Sequence, residues 1–238
     1  MRKHPIFVLA HKELSTLLNS PATYVIFVLF LVLSGWLYAS PLFLNGQSSL
    51  DTFLKPIPII FTFFIPALTM RVFSEEFKDG TIEYLSTLPL RDYELVVGKY
   101  LAAMGLLVLM LLFTLVYPLT LIAVGQPDPG HLVGGYIALV CLGGLFAAIG
   151  VWASSLTRNQ VVAFIISFFI CFLLYLLDRA SEAVPGVFAE GLRWAGITMH
   201  YDAMSRGVLD TRDLLYWASG IGFFLSAALS VVHSRRWK

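Results

Sequence analysis

Residues 71–99 read RVFSEEFKDGTIEYLSTLPLRDYELVVGK and hold ten of the 31 charged residues in the chain. Apolar sequence flanks them on both sides. A charged side chain at the centre of a bilayer costs roughly 2.5–3.5 kcal/mol on insertion scales, so ten together cannot lie in hydrocarbon. This island faces water, and its neighbours supply membrane spans.

Two helical phrases are visible within it. Thr81, after Gly80, is placed as an N-cap; Ile82, Leu85 and Leu88 follow at a spacing of three, and Pro89 is the stop. The second phrase opens at Asp92 as N-cap, with Glu94 near the positive helix start, and runs into the next span. Glu75, Glu76, Asp79 and Glu83 offer carboxylates to a partner. A plain solvated loop with topology-setting charges is the competing reading.

Arg71, the Glu75–Glu76 pair, Gly80-Thr81-x-Glu83, Pro89 and Gly98-Lys99 together resemble the loop between the second and third spans of type-2 ABC transporter permeases. The gliding-motility-associated and NosY-like branches are the most similar. Ser155, Leu156, Thr157, Asn159 and Gln160 resemble a second signature of that family, and HKELSTLLNSPATYV resembles its interfacial helix. RGVLDTRDLLYW, before the last span, again resembles the gliding-motility branch. The resemblance implies a coupling region that meets an ATPase through Glu75, Glu76, Gly80, Thr81, Glu83, Leu85, Pro89, Gly98 and Lys99. It also implies an interfacial helix with Lys12, Glu13, Ser20 and Pro21, and a cytoplasmic hinge with Ser155, Thr157, Asn159 and Gln160.

Composition agrees with a membrane protein. The chain is 58% hydrophobic and 13% charged, and its mean hydropathy is +0.80, against about 45–50% apolar in soluble domains. A net charge of +1 supplies no basic stripe for nucleic acid. Cys141 and Cys171 lie in apolar runs, where cysteine behaves as a small hydrophobe. The apolar run at residues 6–10 is too short for a signal-peptide core, so the mature chain is expected to start at Met1.

The order along the chain is one transmembrane domain, residues 1–238. Residues 1–20 form an amphipathic interfacial helix, with Phe7, Ala10, Leu14 and Leu17 as its stripe and Lys12, Glu13, Ser15, Thr16 and Asn19 polar. Spans are expected at 23–43, 53–70, 100–124, 132–153, 161–177 and 214–232, each near the 20 residues that a bilayer requires. Pro58 and Pro66 should kink the second span. Gly134, Gly135, Gly143, Gly144 and Gly150 let the fourth pack within the bundle or against a second copy, or else make it a flexible helix lining a pathway. Residues 178–213 form an external amphipathic region, with Val184, Phe188, Leu192, Ala195 and Met199 on one face and Glu190 and Arg193 off it.

Lys and Arg report the orientation. With both ends inside, eleven lie inside (Arg2, Lys3, Lys12, Arg71, Lys78, Arg91, Lys99, Arg158, Arg235, Arg236, Lys238) and five outside (Lys55, Arg179, Arg193, Arg206, Arg212). The positive-inside rule then places the 71–99 island in the cytoplasm.

Chemistry for turnover is missing from the sequence. No G-x-x-x-x-G-K-[ST] loop is present to cradle a nucleotide, so ATP and Mg²⁺ are expected on a separate subunit and no cofactor on this chain. A glutamate intramembrane protease needs EExxxR, but Gly80 stands at the arginine position, and all five histidines fall at ends or outside. Met199, His200 and Met204 form an external cluster of the kind that suits copper, although packing with a polar tip is the simpler reading.

The expectation is an all-α, polytopic integral membrane protein with six transmembrane helices, an N-terminal interfacial helix and a cytoplasmic coupling helix. By the resemblance it is a non-catalytic permease subunit of an ATP-driven exporter in the inner membrane. Its expected partners are two copies of an ABC ATP-binding subunit and a second, identical or similar, permease. A scaffold or channel that needs no ATPase is the alternative.

Overall fold

The long apolar runs form helix, because backbone N–H and C=O groups in hydrocarbon must be satisfied within their own segment. The computed structural model describes residues 5–45, 50–81, 91–124, 128–183, 187–208 and 210–236. Among them lie α1 (Pro5–Leu18), α2 (Pro21–Asn45), α3 (Asp51–Leu54), α4 (Ile57–Thr69), α5 (Arg71–Asp79), α6 (Asp92–Thr114) and α7 (Val116–Val124). They are followed by α8 (Pro129–Leu156), α9 (Gln160–Ala183), α10 (Val187–Ala195), α11 (Thr198–Ser205) and α12 (Thr211–Arg236). No strand occurs among the described residues. Six segments are long and apolar enough to cross a membrane: Pro21–Ser40, Ile57–Asp79, Asp92–Ala123, Pro129–Leu156, Gln160–Ser181 and Thr211–Arg235. The protein is all-α and multi-pass.

Prolines interrupt the helical path at two places. Pro58 does not kink the second span as expected: it sits in the first turn of α4, where a missing N–H costs nothing. The interruption lies instead at Lys55–Pro56, between α3 and α4. Pro66 does lie inside α4, and the path continues through Met70, whose N–H donates to the Pro66 carbonyl (2.9 Å), into α5. The third span also breaks, at Leu115, three residues before Pro118. A proline ring clashes with the carbonyl four residues back, here that of Thr114, and ends the regular ladder there.

The fourth span, α8, is the centre of the bundle. Its glycines bring neighbours within the chain close. A Cβ on Gly143 would stand 2.4 Å from Leu107 Cδ2, and one on Gly150 would stand 1.8 Å from Thr69 Oγ1. Of the readings open for this span, packing inside the bundle is the one these contacts realise. The outer spans turn bulky side chains outward, Val32 and Trp36 on α2, Phe169 and Leu173 on α9, and Leu215 and Phe223 on α12. That apolar exterior suits lipid.

One end of the bundle carries α1, α5, the start of α6 and the α8–α9 turn; the other carries α3, α10 and α11. At this second end, the Tyr201 hydroxyl donates to the Leu54 carbonyl (2.8 Å), and Asp178 Oδ2 accepts the Thr198 N–H (2.7 Å). Of the face expected in residues 178–213, Leu192 and Ala195 are half-buried with Glu190 and Arg193 exposed off it, and Met199 departs from it. Gly196 and Ile197 separate α10 from α11, so Met199 stands 51% exposed while Ile197 is buried. Val184 and the side chain of Phe188 lie outside the described residues.

The methionines and histidine of the expected cluster point to different partners. Met204 is buried, and its Sδ accepts the Trp217 indole N–H at 3.2 Å. His200 is buried with Nδ1 2.6 Å from Asp213 Oδ1 and Nε2 3.1 Å from the Trp194 carbonyl. Both of its ring nitrogens are thus engaged with protein groups. Among the described residues, no group of three or more His, Cys, Asp or Glu is placed to hold a metal ion.

Candidate functional site

The segment after the second span begins as helix. In α5 the apolar residues Val72, Phe73 and Phe77 fall inward, and Phe73 and Phe77 stack at 6.1 Å. Glu75, Lys78 and Asp79 point out. Gly80 then takes a left-handed backbone (φ 70°), the usual way to end a helix without a Cβ penalty. Thr81 is exposed. Residues 82–90, with Glu83, Leu85 and Pro89, lie outside the described residues.

The chain re-enters the bundle at α6. Its N-cap is Arg91, not the expected Asp92, and the Glu94 carboxylate accepts the Arg91 N–H at 2.9 Å. Asp92 and Glu94 both occupy the first turn, where the helix dipole favours acid. Lys99 lies two turns further on, within the helix and not at its boundary, and its side chain is 0% exposed.

Lys99 is the centre of the site. Its Nζ donates to Glu76 Oε1 (2.7 Å), to Glu13 Oε2 (2.9 Å) and to the Val72 carbonyl (2.9 Å), and it stands 5.1 Å from the Phe73 ring centroid. An ammonium has three donors, and all three are used. A buried charge persists only when paired and hydrogen-bonded. The ion triad therefore ties α1, α5 and α6 to one point, and it corrects the expectation that both acids of the Glu75–Glu76 pair face a partner. Glu75 does face out. Glu76 turns inward, and its Oε2 is buried without a partner.

Close packing of α1 makes the triad possible. A Cβ at Gly98 would approach Leu9 Cδ2 to 2.8 Å, and one at Gly105, two turns on along the same face, would approach Leu14 to 3.2 Å. The inward stripe of α1 is accordingly Leu9, Glu13 and Leu17, with Leu14 beside it. Phe7, on the apolar stripe expected to lie on the membrane, is 68% exposed and away from the bundle, and Glu13, expected to be polar surface, is buried. Ser20 accepts a hydrogen bond from Arg71 Nη1 (2.6 Å), joining the end of α1 to the foot of α5, and Pro21 opens α2. Lys12 remains in water, 3.9 Å from Glu13 Oε1.

A family model described as an ABC-2 family transporter protein matches residues 7–234. The chain belongs to the ABC-2 transporter family. It is the membrane component of an ABC transporter, a family of subunits that associate with an ABC ATP-binding subunit. No curated protein matches the chain significantly.

Other conspicuous residues of this ABC-2 permease gather at the same end. Leu9, Val72, Phe73, Phe77, Leu95 and Val96 form an apolar cluster of their own with Val151, Ala228 and Val232. Arg235 of α12 lies 4.5 Å over the Phe77 ring and donates to the Leu156 carbonyl at the end of α8. His233 Nδ1 is 2.9 Å from Asp92 Oδ2. Five helices thus converge where the 80–91 segment leaves and returns.

In the expected hinge, Thr157 Oγ1 accepts the Asn159 N–H (3.1 Å), and Asn159 Oδ1 accepts the Val161 N–H (2.9 Å), which caps α9 just before Gln160 opens it. Ser155 is buried, its hydroxyl donating back to the Trp152 carbonyl (2.7 Å). Sequence reasoning missed the role of Glu13, the Ser20–Arg71 bond and the contact of Arg235 with Phe77. A signal for the first was present. Leu95, Lys99, Ala102 and Leu106 share one helical face, and a lysine on an otherwise apolar stripe needs a buried acid opposite it.

Proposed function

We propose that this chain is the permease subunit of an ATP-driven exporter of the type-2 ABC class, close to the gliding-motility-associated and NosY-like branches. It works as a pair with a second copy or a similar permease, and two copies of a separate ATP-binding subunit hold ATP and Mg²⁺. Residues 80–90 are the seat for that ATPase, through Gly80, Thr81, Glu83, Leu85 and Pro89. Both termini and the Ser155–Gln160 turn lie on the cytoplasmic side of the inner membrane, in accord with the excess of Lys and Arg there.

The observation that carries the reading is the Lys99 triad. A push on the 80–90 segment acts on a mount whose two sides, α5 and α6, are ion-paired to each other and to α1. Such a mount moves the second and third spans together instead of flexing locally. The push is productive only if the two permease states differ in affinity for the ATPase conformations.

Glu83→Lys reverses charge in the first docking phrase. It is expected to lower stimulation of the cognate ATPase in proteoliposomes about tenfold, with normal membrane insertion. Unchanged stimulation removes residues 80–90 from the docking role, and stimulation absent in the unsubstituted protein as well favours a scaffold or channel. Sidedness is tested separately. A cysteine at exposed Asn159 should react with an impermeant maleimide only in inverted vesicles, whereas one at buried Ser155 should react poorly from either side; labelling of Asn159→Cys in intact cells reverses the topology.

A further inference from the structure

At the end of the bundle away from Lys99, where α9 meets α10 and α11, there is a cavity of about 400 Å³. Its lining includes Asp178, Arg193, Thr198, Met199, Asp202 and Arg206. Four of these six are charged. Buried ionisable side chains elsewhere in the chain have partners: Lys99 has Glu13 and Glu76, and His200 lies against Asp213. Asp178 is likewise engaged, by the Thr198 N–H. Asp202 is half-buried and feels the Arg206 charge, Arg193 and Arg206 are exposed, and no side chain of the three makes a hydrogen bond or a close ion pair with any of the described residues, although all three border one cavity.

Depth and charge narrow the ligand. Asp178 lies three residues before the end of the Gln160–Ser181 crossing, so the cavity sits at the level of lipid headgroups. Two guanidiniums offer forked donors that match a phosphate. A purely anionic ligand would also meet Asp202 and Asp178, and a purely cationic one would meet both arginines. Burial raises the Asp202 carboxyl above its ordinary range, while the Arg206 and Lys55 cations draw it down. An amine beside it restores the compensation that burial removes.

We propose that this cavity binds a phosphate-bearing zwitterion of the phosphoethanolamine type, with its phosphate on Arg193 and Arg206 and its amine on Asp202. The site is independent of the ATPase, so its test does not depend on the function proposed above.

The full chain is reconstituted in nanodiscs of mixed phosphatidylethanolamine and phosphatidylglycerol, and the lipids it retains are counted by native mass spectrometry. The unsubstituted protein is expected to retain the ethanolamine lipid about tenfold over the glycerol lipid, the ratio of one charge-assisted hydrogen bond. The Arg193→Gln/Arg206→Gln double variant should lose that retention. Asp202→Asn, which removes the negative charge that attracts the amine, should erase the preference while keeping phosphate binding. No preference in the unsubstituted protein, or a double variant that retains lipid as before, overturns the proposal. Calorimetric titration with water-soluble glycerophosphoethanolamine separates two sources of the same chemistry. Equal affinity assigns a free zwitterion, and binding of the lipid alone assigns a membrane headgroup.

Discussion

Lys99→Met is expected to destabilise the permease by about 3–5 kcal/mol, because it leaves the Glu13 and Glu76 carboxylates facing each other without a cation. The side chains are similar in length, so the loss is electrostatic and not a cavity. The measurement is thermal unfolding in one fixed detergent, with α1 followed by a fluorophore at exposed His11. Release of α1 should precede global unfolding, since the triad is its charged anchor. A companion variant separates pairing from packing. Glu13→Gln/Glu76→Gln/Lys99→Met removes all three charges, and neutral replacement of a whole buried ion group is often near neutral in stability. It should recover most of the loss. If Lys99→Met melts like the unsubstituted protein, the triad does not fasten α1. If the triple variant is stable but its ATPase is no longer stimulated, the charges serve coupling instead of folding.

The second large effect belongs to Gly150→Ala. An added Cβ would lie 1.8 Å from Thr69 Oγ1 and 2.7 Å from Thr69 Cβ. Rotating the hydroxyl relieves the first contact and not the second, so α4 and α8 must separate. Overpacking of this kind costs about 1–3 kcal/mol. Thr69→Gly removes both clashing atoms, and in the double variant the two losses should partly cancel. Gly222→Ala in α12 is the control. Nothing lies within 4 Å of its added Cβ, and alanine favours a helix by up to about 1 kcal/mol over glycine. That variant should match or slightly exceed the unsubstituted melting temperature. Equal melting of Gly150→Ala and Gly222→Ala would show that α4 and α8 are not in close contact.

The two clashes also show where sequence reading succeeded. The crossings were legible because each span must satisfy its own backbone and present about twenty apolar residues, a condition written locally in the chain. The glycine pattern of α8 marked close approach, but not its partners. Thr69 and Leu107 lie dozens of residues away, and no local signal names them. The same holds for Pro118, whose break in the third span follows from its ring, although the span read as continuous.

The island shows the division most sharply. Its ten charges exclude it from hydrocarbon, and that was readable from composition alone. Which charge faces water was not readable. Glu75 and Glu76 are adjacent and chemically alike, and a rotation of 100° along α5 sends one to solvent and the other to Lys99. The acid that completes the triad, Glu13, stands 86 residues before Lys99.

The sequence by itself determined an all-α membrane protein with a charged face, because bilayer solvation acts on each segment separately. Only the tertiary structure decided that Glu13, Glu76 and Lys99 form one buried site. Pairing of charges depends on which helices lie side by side, and distant close contacts such as Leu9 on Gly98 set that arrangement.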